Sequence, residues 1–137
     1  MLRKFKLSDL ERILEIEQQS FPKSPWSRLQ FLYCYKKSPD GFLVYELGKK
    51  IVGYVVFNQG HIQSLAVDPS FRRRKIGTKL VQAVSERWKG DLRVEVRKSN
   101  LVAQKFYKKL GFEKVGEIPN YYEDEDALIL VRKSKKV

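Results

Sequence analysis

Cysteine, histidine and methionine occur once each in this chain of 137 residues, as Cys34, His61 and Met1. A lone cysteine leaves no disulfide framework, and a single histidine leaves no cluster of metal-ligand type, so no metal is expected. No motif marks Cys34 as a nucleophile. Nor does any apolar run approach the roughly 20 residues of a membrane span. The opening segment, MLRKFKLSDLERILEIEQ, carries charge where a secretion signal has its apolar stretch, which leads to an expectation of a cytoplasmic protein without a membrane partner. Repeats, low-complexity tracts and linkers rich in Gly, Pro or Ser are missing too, and the length suits one domain over residues 1–137.

What is present is enough apolar material for a core and an uneven distribution of charge. Hydrophobic residues make up 42% of the chain, with eight Phe and seven Tyr to fill an interior. The net charge of +12 concentrates in residues 72–114, where fourteen Lys/Arg stand against four Asp/Glu. Near the C-terminus the sign reverses at Glu117 and in the run Glu123, Asp124, Glu125 and Asp126. A uniformly basic chain would point to nucleic acid or an anionic membrane. A polarised one suits a site that grips an anion on one side and tolerates a cation on the other, and the acidic run is a candidate attractor for the cation.

Periodicity orders the elements. Residues 2–7 read as a short strand. Ser8 precedes Glu11 by three, a capping-box spacing, and a helical pattern follows until Pro22 and Pro25 break it. Ser27 can cap a second helix to about Lys37, closed by Pro39–Gly41. Three strand-like runs, Phe42–Leu47, Ile51–Phe57 and His61–Val67, are joined by short turns into an antiparallel meander. Ile76, Leu80, Val84 and Trp88 then recur every four residues as one stripe of a helix. Leu92–Val96 reads as a strand. Asn100 is suited to cap a helix whose inner face carries Ala103, Phe106, Tyr107 and Leu110, and Gly111 ends it. Lys114–Ile118 and Ala127–Val131 form a closing pair around the acidic run. The order β-α-α-β-β-β-α-β-α-β-β predicts a mixed sheet with helices on both faces. Strands 61–67 and 92–96, joined through a helix, should be parallel.

The stretch VDPSFRRRKIGTKLV joins a buried strand, four consecutive cations and a helix start. Free N–H groups and the positive dipole end at a helix N-terminus suit a phosphate. A solvated basic turn has the same composition, so the run by itself does not decide.

The layout, together with VDPSFRRRKIGTKL and RKSNLVAQKFYKKLGF, resembles the GNAT superfamily of acetyl-CoA-dependent N-acetyltransferases. IEQQSFPKSPWS, LRVEVRKSN and NYYEDEDALIL are similar to its ribosomal-protein alanine (RimI-type) and N-terminal acetyltransferase branch. The resemblance covers nearly the whole chain and implies an α/β (α+β) fold whose mixed, mostly antiparallel sheet contains a splayed parallel strand pair. It implies acetyl-CoA as cosubstrate, with Leu65, Ala66 and Val67 offering backbone groups to the pantetheine arm. A Val67 N–H would polarise the thioester carbonyl. Arg73, Arg74, Lys75, Ile76, Gly77 and Thr78 would hold the pyrophosphate, Asn100 would contact the pantetheine, and Arg72 and Ala103 would complete the cofactor-binding set. The chain departs from the family pattern at Lys75, which stands where the first glycine of the turn is usual.

For the chemistry, the resemblance points to Glu95 as general base, through water, and Tyr107 as proton donor to the departing thiolate. Each has a plainer reading, Glu95 as half of a cross-strand ion pair and Tyr107 as a core tyrosine. Phe21, Trp26, Tyr121 and Tyr122 are candidates to line an acceptor groove, while His61 is read as structural. An α-amine has a pKa near ~8 against ~10.4 for lysine, so a carboxylate base favours an N-terminal amine. The expected acceptor is therefore a protein N-terminus, a ribosomal protein being one candidate, with no direct nucleic acid contact, in a monomer or homodimer. The alternatives are a GNAT enzyme acting on a small amine or lysine, and a non-catalytic basic module binding RNA or the ribosome.

Overall fold

The computed structural model describes residues 1–134. Its strands are β1 (Leu2–Lys4), β2 (Phe42–Leu47), β3 (Lys50–Asn58), β4 (His61–Val67), β5 (Leu92–Arg97), β6 (Glu113–Tyr122) and β7 (Glu125–Arg132). Its helices are α1 (Leu10–Ser20), α2 (Arg28–Lys37), α3 (Ile76–Arg87) and α4 (Leu101–Lys109). The strands form one sheet in the order β1-β2-β3-β4-β5-β7-β6. Every neighbouring pair is antiparallel except β4 and β5, which are parallel as their crossover through α3 requires.

Helices cover both faces, each over its own core. Ile76, Leu80 and Val84 of α3 and Tyr107 of α4 pack with Val52, Val55, Val94 and Val96. On the opposite face Ile13 and Ile16 of α1 and Phe31 of α2 pack with Phe42, Val44 and Tyr54. Fully burying each such side chain contributes about 1.5–3 kcal/mol, and aromatic contacts add to it. Phe5 stacks on Phe42 at 3.9 Å, and Phe31 meets Tyr54 edge-on at 5.6 Å.

Several local expectations hold. Ser27 accepts the Gln30 N–H while the Gln30 side chain accepts the Ser27 N–H, a reciprocal cap. Asn100 accepts the Ala103 N–H at 3.0 Å, and Gly111 follows α4 at φ +92°.

Others are corrected. The Ser8–Glu11 box does not form, because a 3-10 turn over Leu7–Asp9 precedes α1 and Asp9 accepts the Lys6 N–H. Asp9 also binds Arg3 through both oxygens, while Glu11 pairs with Arg28. Trp88 lies past the end of α3 in extended conformation. Its indole folds over Gly60 and Gly90, where an added Cβ would sit 2.5 and 2.7 Å from the ring. The closing hairpin is longer than expected, so that of the acidic run only Glu123 and Asp124 form the turn.

The feature that makes a site is the parting of β4 from β5. They pair only at His61–Arg93 and Ile62–Val94. On the other edge of β4, Phe57 faces Ile62 and Val56 faces Ser64, leaving Gln63 as an extra residue without a partner on β3. Such a bulge bends its strand, and here the bend carries the rest of β4 away from β5.

Candidate active site

The gap opened by this bend continues into a cleft of about 250 Å³. It brings together Leu65 of β4, Glu95 of β5, Asn100, Ala103 and Tyr107 at α4, Phe21 and Trp26 between α1 and α2, and Tyr121 and Tyr122 of β6. Nine residues singled out in the sequence thus line one space. Ala66, Val67 and Arg72–Thr78 do not line it but lie along the parted edge of β4 and the start of α3.

Backbone geometry explains what that edge offers. Asp68 donates its N–H to the Val52 carbonyl at 2.8 Å, in register with the β3–β4 ladder. Alternation along an antiparallel ladder then turns the Ala66 N–H toward β3 and the Leu65 and Val67 N–H groups toward the gap. Pairing with β5 has already ended there, so these two donors face the opening. At α3 the first intrahelical bond runs from the Lys79 N–H to the Lys75 carbonyl at 3.0 Å. The N–H groups of Ile76, Gly77 and Thr78 are left for a ligand. Arg72, Arg73, Arg74 and Lys75 are all exposed, and none forms a salt bridge among the described residues.

Lys75 sits in the left-handed region at φ 60°, ψ 23°, and Arg73 shares that region at φ 68°. A glycine would adopt either without strain. The conformation persists without it, so the turn keeps its shape and gains an ammonium group. Gly77 has a packing role as well, since an added Cβ would come within 3.0 Å of the Phe106 ring. Asp68 braces the turn by accepting the Ser70 N–H at 2.8 Å and pairing with Arg12 of α1. These donors, the helix start and the unpaired cations fit a CoA thioester and its diphosphate.

Within the cleft, Glu95 is largely buried. Its Oε1 lies 2.6 Å from His61 Nε2, and its Oε2 lies 3.0 Å from Arg93 Nε. Burial acts to raise its pKa, but the His61 hydrogen bond and the charges of His61 and Arg93 outweigh that and hold it below the ordinary value. His61, read from sequence as structural, is the direct partner of Glu95. Tyr107 is 5% exposed and set edge-on between Phe106 and Phe112. Burial, with the Tyr122 phenol nearby, raises it well above the usual phenol range. Tyr122, half-buried under the Arg97 guanidinium at 4.3 Å, is pushed up to about 12, first by burial.

Three of the four residues of the acidic run are committed internally. Asp124 and Glu125 pair with Arg97 at 2.7 and 3.0 Å, and Asp126 accepts the Asn120 N–H. It is a structural clasp at the cleft rim more than a free lure for cations.

Glu17 was absent from the sequence-based candidates. It is 1% exposed, lines the cleft, and accepts hydrogen bonds from Tyr54 Oη, from Ser64 Oγ at 3.1 Å and from the Trp26 N–H at 2.9 Å. Burial raises its carboxyl above the ordinary value despite these donors. A carboxylate within the buried stripe of Leu10, Ile13 and Ile16 was the available signal.

The family described as Acetyltransferase (GNAT) family matches residues 10–112. A putative [ribosomal protein bS18]-alanine N-acetyltransferase of Bacillus subtilis is 35% identical, over 94% of this chain and 92% of that one. An N-alpha-acetyltransferase of Sulfurisphaera tokodaii is 31% identical, over 94% and 90%. The crystal structure of Ard1 from Thermoplasma volcanium superimposes with a TM-score of 0.90 at 31% identity, over 99% of this chain and 98% of that one. With the parted strands, the α3 cradle and these likenesses in agreement, the chain belongs to the GNAT family of acetyltransferases.

Proposed function

We propose that the protein transfers the acetyl group of acetyl-CoA to the α-amine of a protein N-terminus. The observation that carries this reading is the cleft itself. A buried, ionised Glu95 and a buried, protonated Tyr107 open onto the same gap as the Leu65 and Val67 N–H groups. Relatives named for N-alpha- and ribosomal-protein alanine acetylation support the acceptor class, and a ribosomal protein is one candidate.

Acetyl-CoA supplies the activated acyl group, held by the N–H groups of Ile76, Gly77 and Thr78, the cations of residues 72–75 and the edge of β4. The Leu65 and Val67 N–H groups stabilise negative charge on the thioester oxygen as the amine attacks. Glu95 with His61 takes the ammonium proton through water. An α-amine with pKa near ~8 is about one-tenth neutral at pH 7, so a modest base suffices. Tyr107 keeps its proton at working pH and offers it to the leaving sulfur. Burial that weakens the phenol as an acid also disfavours a bare thiolate, so the two remain matched.

The test is acetyl-CoA turnover against N-terminal peptides, a lysine peptide and polyamines. Tyr107→Phe and Glu95→Gln should each lower turnover by ~10²-fold with the preferred acceptor. Wild-type rates in both variants remove the role assignments, and preference for lysine or polyamine removes the acceptor assignment.

A further inference from the structure

We propose that Glu17 is a positioning residue for the acceptor, fixing the wall that carries Phe21 and Trp26 to strand β4. The inference rests on reading that wall as part of the acceptor groove. Glu17 holds both ends of the α1–α2 connection. Its main-chain carbonyl accepts the Phe21 N–H at 2.8 Å, and its carboxylate accepts the Trp26 N–H at 2.9 Å. Pro22 and Pro25 within that connection have no N–H to give, so the Trp26 amide is a principal tether of the segment.

The other carboxylate oxygen reaches the sheet. It accepts from Ser64 Oγ at 3.1 Å and from Tyr54 Oη, and these two hydroxyls lie 3.3 Å apart. Tyr54 is fully buried, and Ser64 immediately precedes Leu65, whose N–H faces the gap. One side chain therefore sets the acceptor wall against the strand edge beside which the thioester is placed. Attack by a bound amine depends steeply on that spacing. Around Glu17 the hydrogen-bond donors are neutral, and no salt bridge reaches it among the described residues. Its contribution is three hydrogen bonds meeting at one buried point.

Glu17→Leu keeps the bulk and removes the acceptor atoms. Glu17→Gln keeps an oxygen for the Trp26 N–H, and the Tyr54 and Ser64 hydroxyls can turn to accept from its amide nitrogen. Both are made in a Trp88→Phe background, where Trp26 is the remaining tryptophan. For Glu17→Leu we expect stronger acrylamide quenching of Trp26, a peptide KM raised by about 10-fold and a CoA affinity unchanged within about 2-fold. Glu17→Gln should return each quantity to within about 3-fold of the parent. A folded Glu17→Leu protein with parental quenching and peptide KM overturns the proposal. So does a Glu17→Gln protein as impaired as Glu17→Leu, which would assign the effect to charge. If Glu17→Leu does not fold, Ser64→Ala removes one tie and should raise peptide KM about 3-fold with CoA affinity intact, and no rise overturns the proposal. Failure of the Trp88→Phe parent to acetylate any peptide would remove the acceptor reading, while Trp26 quenching still decides the anchoring.

Discussion

Replacing Lys75 by glycine and, separately, by alanine probes the basic turn before α3 through the difference between two backbones. Lys75 occupies φ 60°, ψ 23° at the start of α3. A left-handed conformation costs a residue with a Cβ about 1–2 kcal/mol. Glycine escapes that cost but surrenders about 0.4–1 kcal/mol of extra chain entropy on folding. Both variants remove the same positive charge from a run of four, so relief of repulsion cancels between them. The glycine variant should therefore exceed the alanine variant in stability by about 1 kcal/mol, near ~3 °C in Tm for a chain of this size. Urea denaturation without ligand reads the difference, and calorimetric titration with CoA then reads the ammonium. If Lys75 Nζ touches the diphosphate, both variants lose affinity relative to the parent, by similar factors. Equal midpoints and slopes for the two variants would refute the reasoning, because the left-handed turn would then cost the folded chain nothing.

Two further perturbations bear on the site and its support. Replacing His61 by leucine removes a partner that holds Glu95 below its ordinary pKa, so the opposing effect of burial gains weight and the carboxyl rises. The acid limb of kcat/KM, lost as Glu95 takes up its proton, should move to higher pH, and an unmoved limb would separate Glu95 from the base role. Gly41→Ala places a Cβ 2.0 Å from the Phe57 carbonyl oxygen, a backbone atom near the end of β3. Overpacking of this kind should cost about 3 kcal/mol in urea denaturation, and a loss below about 0.5 kcal/mol would mean that the β2–β3 edge yields easily.

Much of this molecule was legible in the order of its residues. Strand-like runs bounded by turns gave β2, β4 and β5 nearly to the residue, and the Ser27 and Asn100 caps marked two helix starts, because these features depend on neighbours within a turn or a pleat. The parallel pairing of β4 and β5 also followed from chain order, since a helix between two adjacent strands leaves little other geometry. The cap at Ser8 misled because a 3-10 turn over Leu7–Asp9 comes before α1, and the Asp9 carboxylate turns back to the Lys6 N–H and to Arg3. Trp88 misled because its four-residue spacing continued past the point where Gly60 and Gly90 supply a better seat.

The functional pairings belong to the other category. That His61 meets Glu95, that Glu17 meets Trp26, and that Asp124 and Glu125 meet Arg97 are contacts across 34, 9 and 27–28 residues of chain, respectively. Local pattern determined the fold class and most elements, since short-range sterics and periodicity suffice for them. The single unpaired residue at Gln63, which parts two strands and opens the cleft, and the partners that set each carboxylate's charge came from packing. Which side chains share a buried space depends on how elements distant in sequence close on one another, and that is settled only when the sheet is assembled.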